Sequence, residues 1–314
     1  MEHPGRRAPS CTILESGCVG RRRGRPGLSE EREMPRGDTP ARDASGANVL
    51  LPTHATRIVS LVPSVTETLV AVGLEDALVG RTDFCVHPVS LAGRVPPVGG
   101  TKNPRLEDIL DLAPDLVLAN REENREIDVR RLRERGLRVW VDHPVTLDDT
   151  LEQVRRLAAL GAPAEPATAL LDRLAAAIAR AAAKHPARAR SCFLACWKDP
   201  WMTIGRETYA HHVLAASGLA NIFADAPGHY PRTDLDEVAR RAPEIVLLPD
   251  EPYFFTAVDV DELAQGPLGD SPAVRTGRVH VIDGTLPFWH GPRLAEALEV
   301  LRRLANNESA PASA

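Results

Sequence analysis

The sequence predicts an α/β protein built from two similar Rossmann-like lobes with mainly parallel sheets, joined by one long helix. Three observations lead to this fold class. Short apolar runs alternate with helical patterns in both halves of the chain, which is typical of parallel sheets covered by helices. Two segments that begin at Leu106 and Leu235 match each other. A long Ala-rich helical segment lies between them.

The N-terminal lobe is predicted over residues 56–146. Residues 57–63, RIVSLVP, form a β-branched run that ends at a proline and indicates a buried strand. We expect Ser64 to cap the next helix, with Glu67 as its capping-box partner, and Gly73 to end it. The other predicted elements follow in order: strand 77–82, helix 105–112, strand 116–119, a helix that ends at Arg135, and strand 137–141.

Residues 147–187 are predicted to connect the lobes, and residues 163–186 form the long helix. Pro166 suits its first turn, and Pro186 cannot continue it. At 1.5 Å per residue this helix is roughly 30 Å long, enough to span two lobes. Its apolar residues recur with the spacing of one helical face, at Ala167, Leu170, Leu171, Leu174, Ala177, Ile178 and Ala181.

The C-terminal lobe is predicted over residues 188–305, where the alternating pattern returns. Its elements are strands 191–197, 244–248 and 278–283, helices 208–216 and 235–241, and a final helix that opens at 291–293. Residues 106–122, LEDILDLAPDLVLANRE, match residues 235–251, LDEVARRAPEIVLLPDE, which favours an internal duplication. Two similar lobes face each other across a cleft, and such clefts are where ligands bind.

Composition limits the remaining possibilities. Residues 1–55 contain few apolar residues and are predicted to be a disordered head, and residues 306–314 a polar tail. A net charge of −5 gives no reason to expect a nucleic-acid partner. No apolar run approaches the roughly 20 residues of a membrane span, so no membrane insertion is expected. Five cysteines, an odd number, favour a reducing compartment.

Several motifs, taken in order, resemble one known family. They are RIVSLVPSVTETLVAVGL, DFCVHP, LEDILDLAPDLVLAN, the long Ala-rich helix, SGLANIFAD and GPRLAEAL. Over residues 56–305 the sequence resembles the substrate-binding proteins of ABC importers whose lobes are joined by a single backbone helix. These are the receptors for cobalamin, haem and ferric siderophores, and the resemblance is strongest to the cobalamin branch.

The resemblance implies a binding protein rather than an enzyme, with a stiff interlobe helix and no cofactor of its own. It further implies cobalamin or a related metal chelate as ligand, an ABC permease as partner, and a monomer. A second hypothesis is a cytoplasmic corrinoid or haem sensor or chaperone with the same fold and no transport role. Although the family is extracytoplasmic, no apolar run of export-signal length is visible in residues 1–50, so a cytoplasmic location is expected.

Candidate ligand-binding residues lie in loops at strand ends. Flat aromatic faces suit a corrin or porphyrin, and polar side chains suit its amide or carboxylate groups. Each aromatic residue has core packing as its alternative role. The predicted ligand-binding residues are Phe84, Cys85, His87, Thr101, Lys102, Asn103, Glu122, Trp197, Trp201, Tyr230, Phe254, Trp289 and Arg293.

No catalytic motif and no intrinsic metal site are predicted. The sequence contains no G-x-S-x-G elbow, H-E-x-x-H helix or P-loop. Cys85 and His87 are too close for a zinc-finger knuckle, and the adjacent His211 and His212 should point to different faces of a helix. His87 or His290 is instead the candidate axial ligand to the metal of a bound chelate.

The resemblance also implies two sites of permease docking. In the cobalamin receptors, one glutamate on the outer face of each lobe meets arginines of the permease. Glu107 and Asp236 stand at those positions here, and the internal duplication pairs them with each other. A carboxylate near a helix start is also favourable to the helix dipole, by typically 0.3–1 kcal/mol, so local stability is the alternative explanation.

Overall fold

Two β-sheets, one in each lobe, form the framework of residues 38–306, the part of the chain that the computed structural model describes. The predicted fold class is confirmed, because each lobe combines a mainly parallel sheet with packed helices and one long helix links the lobes. Residues 1–37 and 307–314, which include most of the predicted head and tail, lie outside the described residues.

The N-terminal lobe is built on a four-stranded parallel sheet. Its elements are β1 (Thr39–Arg42), β2 (Asn48–Leu51), β3 (Ile58–Ser60), α1 (Pro63–Ala71), β4 (Leu78–Arg81), α2 (Leu106–Asp111), β5 (Leu116–Asn120), α3 (Glu126–Glu134) and β6 (Val139–Asp142). The sheet order is β4-β3-β5-β6. Because all four strands are parallel, the loops that follow them start at one edge of the sheet, where ligand residues can converge.

Helix α1 begins at Pro63 and not after a capping Ser64. Proline fits the first helical position because its missing N–H would be unpaired there, and the preceding Val62 makes no side-chain cap bond. The predicted capping box of Ser64 with Glu67 is therefore wrong. Gly73 follows the helix with a φ of 87°, as predicted for a glycine that ends a helix.

Strands β1 and β2 form an antiparallel hairpin that was not predicted. They lie within the predicted disordered head, residues 1–55, so that prediction is wrong for this part. The hairpin is ordered by tertiary contacts. Leu51 is buried in the core, and Asp43 in the turn accepts a hydrogen bond from the Val141 backbone and pairs with Arg133.

Helices α4 (Leu147–Ala158) and α5 (Ala164–Ala183) connect the lobes. The predicted long helix is thus confirmed, and its buried residues follow the predicted apolar face: Ala167, Leu170, Leu174, Ala177 and Ala181. One apolar cluster extends from the N-terminal lobe along α5 into the C-terminal lobe. Because separating the lobes would expose this shared core to water, the packing favours small interlobe movements.

The C-terminal lobe is built on a five-stranded sheet. Its elements are β7 (Arg190–Trp197), β8 (Met202–Thr203), α6 (Tyr209–Ala216), β9 (Leu219–Asn221), α7 (Leu235–Arg240), β10 (Ile245–Pro249), α8 (Ala257–Gln265), α9 (Pro272–Arg275), β11 (Val279–Ile282), α10 (Thr285–Phe288) and α11 (Leu294–Asn306). The order is β11-β10-β7-β8, with β9 also paired to β7. Only β8 runs antiparallel among these described strands.

The two matching sequence segments adopt the same structure. The shift that carries Leu106 to Leu235 also carries every bound of α2 and β5 onto those of α7 and β10. Between helix and strand, Ala113 and Ala242 have φ values of 42° and 47°. Positive φ is uncommon for residues other than glycine. The same rare conformation at matched positions supports an internal duplication.

Candidate ligand-binding site

Loops at the carboxyl ends of the strands bring the two lobes into contact. Glu122, two residues after β5, meets two residues of a C-terminal-lobe loop. The Tyr230 hydroxyl donates a hydrogen bond to Glu122 Oε2 at 2.8 Å, and His229 Nδ1 lies 3.5 Å from Glu122 Oε1. The structure thus brings together two predicted site residues, Glu122 and Tyr230, from opposite lobes.

The loop that carries Glu122 is held by a second loop of its own lobe. The Asn124 side-chain amide donates to the Thr101 carbonyl at 3.0 Å, and the Lys102 ammonium donates to the Glu122 carbonyl. Asn103 follows in an exposed position. The predicted residues Thr101, Lys102 and Asn103 therefore lie beside Glu122 and border the interlobe contact.

Exposed aromatic side chains lie at strand ends in both lobes. Phe84, after β4, is 59% exposed, Phe254, after β10, is 74% exposed, and Trp197, the last residue of β7, is 38% exposed. The Trp197 ring packs edge-on against Tyr253 with a centroid distance of 5.5 Å. Large exposed apolar side chains grouped at loop ends are typical of binding surfaces, and all three exposed rings are predicted site residues.

Two predicted site residues are placed inside the lobes. Cys85 is 1% exposed, its sulfur lies 3.0 Å from Thr66 Oγ1 and 3.1 Å from Thr82 Oγ1, and burial raises the pKa of its thiol. Trp201 stacks on Phe255 at 5.6 Å with an interplanar angle of 16° and packs against the lobe core. Contrary to the prediction, the buried Cys85 side chain is not presented to a ligand, whereas Trp201 is only partly buried and packs against the core of its own lobe.

A second interlobe contact forms around Trp289. The Arg293 guanidinium pairs with Glu67 of α1 at 2.9 Å and lies over the Trp289 ring, 5.1 Å from its centroid. His87 meets the edge of the same ring at 6.1 Å. These three predicted site residues lie together, but Trp289 is only 7% exposed. Their contacts join the two lobes.

The two predicted axial ligands, His87 and His290, differ in exposure. His290 is buried, with Nδ1 3.1 Å from Ser64 Oγ and its ring against Tyr209 at 5.3 Å. Burial lowers the pKa of His290 to about 4, so the ring is neutral at pH 7. The structure does not present His290 to a ligand, whereas His87 is half-buried and its axial role stays a prediction.

A cavity of about 650 Å³ lies between the lobes. Its lining residues are Arg121, His143, Val145, Arg206, Glu207, His211, His212 and His229. Arg121 and His143 directly follow the adjacent strands β5 and β6. That placement puts both side chains at neighbouring carboxyl ends of the sheet, the edge where ligands bind in such folds.

Histidines from the C-terminal lobe complete the cavity lining. His211 and His212 were expected to point to different faces of a helix, but their rings lie 5.3 Å apart and both line the cavity. The first turn of α6 is open to the cavity, so both neighbours can reach it. His229 and His143 approach each other from opposite lobes, with ring centroids 6.1 Å apart.

Carboxyl groups surround the interlobe contact. Burial raises the pKa of Glu123 to about 8. The positive charge of Lys102 acts to lower this pKa, whereas the negative charges of Glu251 and Glu122 raise it further. Glu251 lies in the C-terminal lobe, and burial raises its pKa as well. A protonated carboxyl group both donates and accepts hydrogen bonds.

The two predicted docking residues lie on equivalent helices. Glu107 and Asp236 are both exposed in the first turns of α2 and α7. Glu107 pairs with Arg135 at 2.5 Å. Glu237, next to Asp236, pairs with Arg241 at 2.6 Å and is therefore already engaged. Contact with a permease stays a prediction.

The chain is similar in sequence to proteins of known function. The sequence profile of the periplasmic binding protein family matches residues 58–286. A vitamin B12-binding protein of Photorhabdus laumondii is 31% identical over 196 residues, which covers 61% of this chain and 70% of that protein.

Two solved structures share the fold. A periplasmic haem-binding protein of Pseudomonas aeruginosa is 28% identical, with a TM-score of 0.69 over 82% of this chain and 95% of that one. The periplasmic vitamin B12-binding protein of Vibrio cholerae has a TM-score of 0.71 over 81% of this chain and 97% of that one. Its identity of 24% establishes the common fold alone.

The expected cytoplasmic location is wrong. It rested on a missing apolar run near the start of the sequence and on the odd number of cysteines, whereas the matching family is periplasmic and both solved relatives are periplasmic by name. The hypothesis of a cytoplasmic sensor or chaperone loses its support with it. None of the described helices is long and apolar enough to cross a membrane. The predicted resemblance is confirmed, the family is one of binding proteins rather than enzymes, and the chain belongs to the periplasmic binding protein family.

Proposed function

We propose that this protein is the substrate-binding component of an ABC importer for a corrinoid, such as cobalamin, or a related metal chelate. The observation that carries the proposal is the presence of exposed aromatic rings at strand ends of both lobes, together with the hydrogen bond between Glu122 and Tyr230 that joins these lobes. The relatives named as vitamin B12-binding and haem-binding proteins support the same class of ligand.

Aromatic faces give such a site its affinity. Phe84 belongs to one lobe, and Trp197 and Phe254 belong to the other. A corrin or porphyrin is a broad, largely apolar ring system, so it can be covered from both sides at once. Each aromatic contact contributes about 0.5–1.5 kcal/mol beyond the area that it buries.

Polar groups would then set the orientation of the ligand. Lys102 and Asn103 border the contact from the N-terminal lobe. An ammonium group binds carboxylate or phosphate oxygens, and the asparagine amide can both donate to and accept from an amide side chain. The chelate is bound as a ligand and is not a cofactor of the protein. We further propose that the protein acts as a monomer and delivers its ligand to a permease.

Calorimetry on the purified protein tests the ligand class. We expect binding of cobalamin or cobinamide, with haem and ferric siderophores as the comparison ligands. Phe254→Ala should weaken binding by about 1–3 kcal/mol, as expected when an aromatic anchor that the bound ligand covers is truncated. Val258→Ala removes an equally exposed apolar side chain, 65% exposed on α8, and should leave the affinity unchanged. No heat with any of the four ligands, from folded protein, would refute the chelate proposal.

A further inference from the structure

The interlobe contact contains a cluster of three side chains with metal-binding chemistry. Glu122, His143 and His229 each offer one ligand atom, and these atoms all lie within 4.8 Å of one another. Glu122 and His143 follow neighbouring strands of the N-terminal lobe, and His229 comes from the C-terminal lobe. The cluster therefore spans the cleft.

The distances within the cluster are too long for direct hydrogen bonds. His143 Nε2 and His229 Nδ1 each lie 3.5 Å from the same oxygen, Glu122 Oε1. An imidazole N–H that donates to a carboxylate normally lies about 2.7–2.9 Å from it. Both ring nitrogens are buried and have no hydrogen-bond partner. Two buried polar atoms thus point at one oxygen without bonding to it.

A metal ion would explain this spacing. At metal–ligand distances of about 2.0–2.2 Å, a tetrahedral ion holds its ligand atoms about 3.3–3.6 Å apart. The two contacts of Glu122 Oε1 have this length. Two imidazoles and one carboxylate form a donor set that suits Zn²⁺ and the neighbouring first-row divalent ions, and not Ca²⁺ or Mg²⁺.

Neighbouring residues orient these side chains as they do in metal sites. The Tyr230 hydroxyl donates to the other oxygen of Glu122, Oε2, at 2.8 Å. His229 turns its other ring nitrogen, Nε2, toward Glu207 at 3.7 Å. A carboxylate behind a histidine fixes the ring tautomer and raises its basicity toward a metal.

From this geometry we infer that Glu122, His143 and His229 bind one Zn²⁺-class divalent ion that bridges the two lobes. His143 and His229 also line the 650 Å³ cavity, from which water or a small donor ligand can reach an ion bound between them. The inference does not rest on the proposed chelate function, although Glu122 belongs to both sites, because binding of the bare ion requires no chelate. It revises the sequence prediction of no intrinsic metal site.

Binding of metal chlorides to the untagged, EDTA-treated full chain tests the inference. We expect calorimetry with ZnCl₂ to show one ion per chain at this site, and CoCl₂ to give the intense visible bands of four-coordinate Co²⁺. Glu122→Gln, His143→Gln and His229→Gln should each weaken the affinity at least tenfold. His54→Gln, at an exposed histidine of the same lobe as His143, is the matched control and should bind as the wild type does.

Thermal unfolding distinguishes a variant that has lost Zn²⁺ binding from a variant that has lost its fold. ZnCl₂ should raise the unfolding midpoint of the wild type and of His54→Gln, but not of the three site variants. Each variant should melt near the wild-type temperature in EDTA, because the three residues lie in loops outside the apolar core. Absence of Zn²⁺ binding by the wild type, or unchanged affinity in any of the three site variants, would overturn the three-ligand site. No chelate is present in these experiments, so either result leaves the proposed function to its own test.

Discussion

At the residue scale, two tryptophans that are close in sequence have different predicted roles, one in ligand binding and the other in core packing. Trp197 is 38% exposed, whereas Trp201 stacks on Phe255 and packs against the core. We expect Trp201→Ala to lower the free energy of unfolding by about 2–4 kcal/mol, since truncating a packed tryptophan leaves a cavity, and to leave ligand affinity unchanged. Urea unfolding and calorimetry on the same samples measure both quantities.

Trp197→Ala is the matched comparison, because it removes the same side chain from the exposed end of β7. It should weaken ligand binding and change stability by less than about 1 kcal/mol. The opposite pattern, with stability lost at Trp197 and affinity lost at Trp201, would contradict this assignment. Both residues are tryptophans at strand-end loops in the sequence, so only packing tells them apart.

At the element scale, the β1–β2 hairpin depends on one carboxylate. Asp43 Oδ1 accepts from the Ser45 and Ala47 backbones at 2.9 and 3.1 Å, and Oδ2 accepts from Val141 at 3.0 Å. Burial alone would raise the pKa of Asp43, but these hydrogen bonds and the charge of Arg133 outweigh it and lower the pKa below 3.8. The carboxylate therefore contributes stability above its unfolded pKa.

That contribution should disappear as the pH falls from about 4 through the lower folded pKa, because the unfolded state then takes up the proton first. We expect Asp43→Asn to lower the unfolding free energy at pH 7 by about 2 kcal/mol. The variant should also lose part of the acid dependence below pH 4. Urea unfolding from pH 7 to pH 2 measures it, with the exposed Asp261→Asn as control. Parallel pH profiles for Asp43→Asn and the wild type would argue against this role.

The same hairpin shows where sequence reasoning reaches its limit. Helix α5 and the buried strands were predictable because a 3.6-residue period or a β-branched run is a local signal. The hairpin is held by Asp43 and by contacts with β6, which are distant in sequence. The candidate site likewise contains residues that local sequence signals predict and residues that they do not. Glu122 was predictable from its place after β5, but the approach of His143 and His229 from opposite lobes depends on how the lobes pack.

At the scale of the whole molecule, the duplication places one exposed carboxylate on the outer helix of each lobe, Glu107 and Asp236. A shared core along α5 keeps the lobes close to one arrangement, so the distance between the two carboxylates changes little. A permease can use such a pair as a fixed two-point contact. Glu237 is engaged by Arg241, which leaves Asp236 as the available carboxylate on α7.

We therefore expect Glu107→Lys combined with Asp236→Lys to abolish uptake of labelled cobalamin by the source cells while leaving ligand affinity intact. The ion pair of Glu107 with Arg135 is exposed and contributes at most about 1 kcal/mol, so the fold should tolerate the change. Glu126→Lys with Asp261→Lys makes the same change in net charge at other exposed positions of the two lobes and should preserve uptake. The single variants Glu107→Lys and Asp236→Lys should each lose only part of the uptake. This loss should grow as the salt concentration rises, because ions screen the remaining contact at the interface rim. Normal uptake by the well-expressed Glu107→Lys, Asp236→Lys protein would show that these carboxylates serve only their own helix starts.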